Sequence, residues 1–246
     1  MQVIFLLFFS VLSITLCKSQ DKQKIETLLE FVKVEGANFR MGDVEFEDAK
    51  LHEAEISSFY IQKTEVTQEL WVAVMGYNPS KNKTWKEFPV TDVSWENCQD
   101  FIKKLNSITG RNFRLPTESE WEYAARGGKQ SKGFKYAGSN NINEVAWHYY
   151  NSNNRVHSVK KKMPNELGLY DMSGNVYEWC QDLYAEYNID KQVNNNKNAS
   201  TSDEFYVMRG GSWYSTTESC QVAYRQQRRQ SSGNNLRGFR LVTSEL

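Results

Sequence analysis

The sequence predicts a loop-rich α+β domain, and three observations carry that expectation. Capped helical patterns fall in the first half of the chain, whereas the second half reads as short strands between Gly-, Asn- and Ser-rich turns. Aromatic residues make up 13% of the 246 residues while long aliphatic helical runs are scarce, so Trp, Tyr and Phe are expected to fill the core. No tandem repeat or break in composition divides the chain. A single domain is therefore expected over 31–244, after a short polar segment at 20–30 and a leader at 1–19. Lys+Arg and Asp+Glu both number 30, and this balance argues against a polyanionic partner such as nucleic acid.

Met1–Ser19 reads as an export signal. Val3–Leu16 is apolar or hydroxylic, the first charge is Lys18, and Cys17-x-Ser19 offers small residues for cleavage ahead of Gln20. The run is shorter than the ~20 apolar residues of a membrane span. Export to the cell envelope or medium is the primary reading; a lipid anchor on Cys17 is the alternative.

The elements follow in order. Asp21–Glu30 is a short polar helix or tail, and Phe31–Gly42 reads as strand, glycine turn, strand. Ile56–Gln62 is a further strand. Thr67 caps a helix that runs through Val74 and stops at Gly76. Ser94 caps a second helix with Trp95, Cys98, Phe101, Ile102 and Leu105 on one face, ended by Gly110. Asn112–Leu115 is a strand candidate. Thr117-x-x-Glu120 is a capping box for a third helix, which runs to Arg126 before Gly127-Gly128. Ser131–Asn143 is a loop. Glu186–Glu204, rich in Asn, Lys, Ser and Asp, reads as a mobile surface loop. Val207–Trp213 resumes order, and Leu236–Val242 reads as the last strand.

Gly168–Trp179 (GLYDMSGNVYEW) is the most informative stretch. Asp171, Ser173 and Asn175 surround a glycine turn, and Val176–Trp179 then alternates as a strand does. Two readings stay open on this pattern. It is a tight turn with Glu178 in a structural ion pair, or a cradle of oxygens for a hard cation such as Ca²⁺.

Seven stretches together resemble the formylglycine-generating enzyme family, also called the sulfatase-modifying-factor family. They are GANFRMG (Gly36–Gly42), FYIQKTEVTQELW (Phe59–Trp71), FPVTDVSWENC (Phe88–Cys98), RLPTESEWEYAARGG (Arg114–Gly128), GLYDMSGNVYEW, VMRGGSW and GFRLV, in family order. The resemblance implies an irregular, loop-rich, C-type-lectin-like fold. It also implies Ca²⁺ at the central turn, with side-chain ligands Asp171 and Glu178 and carbonyl ligands Gly174 and Val176. A second calcium site of the family is not supported, because Val145 stands where a side-chain ligand is needed.

The family's chemistry converts a sulfatase cysteine to formylglycine with O₂ at a copper(I) site held by two cysteines. Soft thiolates suit Cu(I). Here Cys220 matches the second cysteine, Ser212 matches a serine near the substrate, and Ser215 stands where the first cysteine belongs. A hard, un-ionised hydroxyl is no substitute for a thiolate, so this sequence lacks half of the Cu⁺ site. Cys98 and Cys180 read as packed core thiols. His52, His148 and His157 show no metal-ligand spacing. Arg225, Arg228, Arg229, Arg237 and Arg240 either bind an acidic ligand or stitch the irregular fold by pairing with carboxylates and carbonyls. Two functions follow. One is an exported binding or envelope-assembly module that has lost copper chemistry. The other is an O₂-dependent oxidoreductase acting on a sulfatase cysteine or a related substrate.

Overall fold

The structure, a computed structural model, describes residues 22–83, 86–187 and 204–246. The expected export signal, the Cys17 anchor and most of the Glu186–Glu204 loop lie outside the described residues. A short helix over 22–27 (α1) precedes strands β1 (Phe31–Val34), β2 (Ala37–Met41), β3 (His52–Ile56) and β4 (Phe59–Gln62). Helices α2 (Gln68–Met75), α3 (Trp95–Thr109), α4 (Glu118–Ala125) and α5 (Ile142–Val145) follow, then β5 (Tyr177–Leu183), β6 (Phe205–Arg209), β7 (Gln226–Arg229), β8 (Arg237–Gly238) and β9 (Val242–Thr243).

The strands form three small sheets, ordered β1-β4-β9, β2-β3 and β7-β6-β5-β8. The two strands expected in Phe31–Gly42 exist but do not pair with each other. β1 pairs with β4 and β2 with β3, all antiparallel. Gly36 permits this divergence, since a Cβ there would lie 2.3 Å from the Ile56 carbonyl oxygen. Three expectations need correction. Ile56 closes β3 and does not open the strand Phe59–Gln62. Asn112–Leu115 is not a strand and makes only the bridge Arg114–Val242. Leu236–Val242 is broken, with β8 parallel to β5 and β9 antiparallel to β4.

The helices begin where local chemistry places them. Thr67, Ser94 and Thr117 accept backbone N–H bonds from Leu70, Asn97 and Glu120, and the last two caps are reciprocal boxes. α2 and α3 end at Gly76 and Gly110, both left-handed.

Two large apolar clusters make up most of the core among the described residues. In the first, Trp71 stacks on Phe101 at 5.0 Å and Phe239 meets both rings edge-on, joining α2 and α3 to the C-terminal segment. The second packs α4 through Trp121 and Ala124 against Phe59, Ile61, Val207 and Val242. Among the described residues no helix is long and apolar enough to cross a membrane.

Candidate functional site

The turn after β6 delivers Ser212, Ser215 and Cys220 to one place. The Ser212 backbone N–H donates to Ser215 Oγ at 3.0 Å, and the two hydroxyls are also 3.0 Å apart. Ser215 Oγ then donates to the Tyr177 hydroxyl at 3.2 Å. Burial raises the Tyr177 pKa, so this phenol stays protonated at neutral pH. Cys220 is fully buried with Tyr136, Ile142, Val145 and Ala146. Its sulfur packs so closely on Gly211 that a Cβ there would lie 2.7 Å from it. Burial pushes the Cys220 thiol up to about 12, only partly offset by a bond from the Ser212 backbone. The three residues singled out in the sequence are thus neighbours, but they present neutral O–H and S–H groups. Such a cluster hydrogen-bonds and packs; it offers no thiolate at neutral pH.

Three tyrosines beside this cluster are exposed: Tyr149, Tyr150 and Tyr214. The Tyr149 N–H donates to the Ser215 carbonyl at 3.0 Å, tying the two loops together. The Tyr149 ring meets Tyr150 and Tyr214 edge-on at 5.3 and 5.4 Å. Nearby, Trp147 stacks on His157 at 3.8 Å and carries the Lys162 ammonium 4.1 Å from its ring centre. Sequence reasoning missed this aromatic surface. Its only trace was the adjacent pair Tyr149-Tyr150 and Tyr214 after the GGSW turn.

The central turn is built from backbone that few residues adopt. Asp171 and Asn175 have φ of 59° and 60°. Gly174 has φ 79°, and a Cβ on it would lie 2.2 Å from the Trp147 carbonyl oxygen. Asp171 is buried; its Oδ2 accepts the Lys160 N–H at 2.9 Å, while Oδ1 has no partner. Burial raises its acid to about 6. Glu178 is also buried. Arg240 grips both of its oxygens at 2.6 and 2.7 Å, and Trp121 Nε1 donates to Oε2 at 2.8 Å. Glu65, absent from the sequence-based candidates, reaches this turn as well. Its Oε1 accepts Asn175 Nδ2 at 2.9 Å, whereas Oε2 is buried and unpartnered. Burial, Asp171 and Glu178 raise its pKa well above the usual range. Among the described residues no three His, Cys, Asp or Glu side chains converge as metal ligands. The orphaned Asp171 oxygen nonetheless suits a hard cation, which also draws on carbonyls and water.

The C-terminal arginines whose partners carry the architecture act as stitches. Arg240 also donates to the Gln62 and Tyr170 carbonyls. Arg225 binds Glu118 with two nitrogens and the Asp48 and Ala185 carbonyls with a third. Arg209, fully buried, pairs with Glu122 and Glu118. Arg237 bonds Ser232, and Arg228 bonds Gln226. Cys98, Cys180 and Cys220 are free thiols packed in three different apolar clusters. His148 and His157 are held by Asn143 and by the Ser152 carbonyl, and the His52 ring meets Tyr187 at a tilt of 57°.

Comparison with known proteins gives a consistent result. A family model described as "Sulfatase-modifying factor enzyme 1-like domain" matches residues 17–245. A protein named Chaperone protein LppX from Paenibacillus barcinonensis is 32% identical over 272 residues, covering 90% of this chain and 91% of its own. The Formylglycine-generating enzyme of Mus musculus is 32% identical over 176 residues, and that match spans 64% of this chain and 45% of the enzyme. The solved structure of Treponema denticola variable protein 1 superposes with a TM-score of 0.80 at 31% identity, covering 87% of this chain and 95% of that one.

Proposed function

From the premise that the chain belongs to the sulfatase-modifying-factor family, residues 17–245 matching its model, we propose an exported binding or assembly module without copper oxidase chemistry. One observation carries this reading. Where a Cu(I) site needs two thiolates, the chain has the Ser215 hydroxyl bonded to Ser212 and Tyr177, and a buried Cys220 thiol held protonated. The ligand-facing surface is the exposed Tyr149–Tyr150–Tyr214 group beside that cluster, because tyrosines supply large contact area at little entropic cost. A relative spanning nearly the whole chain is named as a chaperone, which fits a role in holding a partner. Ca²⁺ belongs at the 171–178 turn, where the family resemblance names Asp171, Gly174, Val176 and Glu178. Asp171 Oδ1 stands ready for it; Glu178 is engaged by Arg240. When bound, the ion would supply charge balance and rigidity to the turn, and no chemical step.

The test is oxidation of a cysteine peptide of the sulfatase type in the presence of Cu(I), Ca²⁺ and O₂, followed by mass spectrometry. The wild type is expected to leave the cysteine intact. Turnover by the wild type would overturn the reading and establish the oxidoreductase alternative. Turnover by Ser215→Cys alone would show that the surrounding frame remains competent and that one hydroxyl silences it.

A further inference from the structure

The buried carboxyl groups at the central turn outnumber the cations that pair with them. Glu65, Asp171 and Glu178 are all buried there, and Arg240 is the guanidinium that faces them. Arg240 is committed to Glu178, whose second oxygen also takes the Trp121 N–H. Nearby lysines do not fill the gap. Lys160, whose backbone binds Asp171, sends its ammonium to Glu30 at 2.5 Å, and Lys63 goes to the same carboxylate at 3.3 Å. Two carboxyl oxygens are left over, Glu65 Oε2 and Asp171 Oδ1, both buried and both without a hydrogen-bond partner. A buried, unpartnered carboxylate oxygen is a costly arrangement that calls for a counter-charge.

Backbone contacts fix Glu65 in this position. The Val66 N–H donates to the Phe239 carbonyl and the Val90 N–H to the Val66 carbonyl, each at 2.8 Å. Asn175 then holds one Glu65 oxygen from within the turn, which leaves the other for a ligand. We propose that Glu65 and Asp171 are the two carboxylate ligands of a hard divalent cation of the Ca²⁺ class, with Glu178 withdrawn from that role onto Arg240. The remaining positions go to backbone oxygens and water, as Ca²⁺ accepts. The inference rests on the calcium reading above and changes its ligand set by adding a residue 106 positions before Asp171 in the sequence.

Terbium(III), a luminescent stand-in for Ca²⁺ that tryptophan sensitises, provides the test, read alongside the melting temperature with Ca²⁺ or with EDTA. Wild-type protein is expected to give Tb³⁺ luminescence displaced by Ca²⁺ and a higher melting temperature with Ca²⁺. Glu65→Gln keeps the bond to Asn175 and removes the charge. It is expected to lose the luminescence and the Ca²⁺ response while melting in EDTA no lower than the wild type does. Glu65→Asp, which retains the charge on a shorter arm, is expected to weaken Ca²⁺ binding. Unchanged Ca²⁺ affinity in both variants would overturn the role of Glu65 and leave a calcium site standing. Absence of Tb³⁺ and Ca²⁺ binding in the wild type would overturn the calcium reading itself.

Discussion

Asp182 shows how a single carboxylate ties two elements together at a pH-dependent cost. It lies on β5 and accepts the Glu118 N–H at 2.6 Å, at the first turn of α4. Burial, and then the Glu118 charge, raise its acid to about 7. The folded protein therefore keeps this proton up to about pH 7, whereas an unfolded Asp releases it near pH ~4. Between those values the unfolded chain binds fewer protons, so the stability from this group is full at the acid end and falls as pH rises to about 7. Asp182→Asn keeps an oxygen for the Glu118 N–H and removes the titration. Urea denaturation across that window should show a shallower loss of stability in the variant; an unchanged slope would assign the dependence to other groups. At this scale the grouping of Ser212, Ser215 and Cys220 was legible, because all three sit in one recognisable stretch. Glu65 was not. Its place at the turn depends on a contact with Asn175, 110 residues away, and no local pattern reports such a contact.

The helices were legible because their signals are local. Thr67, Ser94 and Thr117 each bond a backbone N–H three residues on, so the cap and its partner lie within one turn of sequence. In α4 the box is reinforced, since Glu120 also binds Arg114 with two bonds of 2.6 and 2.7 Å. Thr117→Ala removes the Glu120 N–H acceptor and should cost about 1 kcal/mol, read from the urea midpoint at constant slope. A loss within error of zero would mean that the Arg114–Glu120 pair alone holds the helix start. The strands were less legible because each is short and its partner is remote. Nothing near Gln226–Arg229 announces that it pairs with β6, since its residues are polar and charged. The single stretch expected over Leu236–Val242 splits because Gly238 passes against the Val90 carbonyl, where a Cβ would lie 2.8 Å away, and Val242 then turns to β4.

At the scale of the whole molecule, buried ion pairs do the joining that long strands do in more regular folds. Arg209, Glu122, Glu118 and Arg225 connect β6, α4 and the segment before β7, and Arg240 with Glu178 connects β5 to the C-terminal strands. Such pairs specify geometry more than they add stability, because desolvation offsets their attraction. The motifs quoted above made the fold visible in the sequence, and the Treponema denticola protein is similar to it in fold at a TM-score of 0.80. The frame by itself does not fix activity. The proposed function turns on the hydroxyl that Ser215 places where the family resemblance expects a thiolate, and copper affinity reads that group directly. The decisive measurement is Cu(I) uptake in competition with a chromophoric chelator, comparing wild type with Ser215→Cys. The wild type is expected to leave the chelator complex intact while the variant withdraws Cu(I) from it. Stoichiometric withdrawal of Cu(I) by the wild type would contradict it.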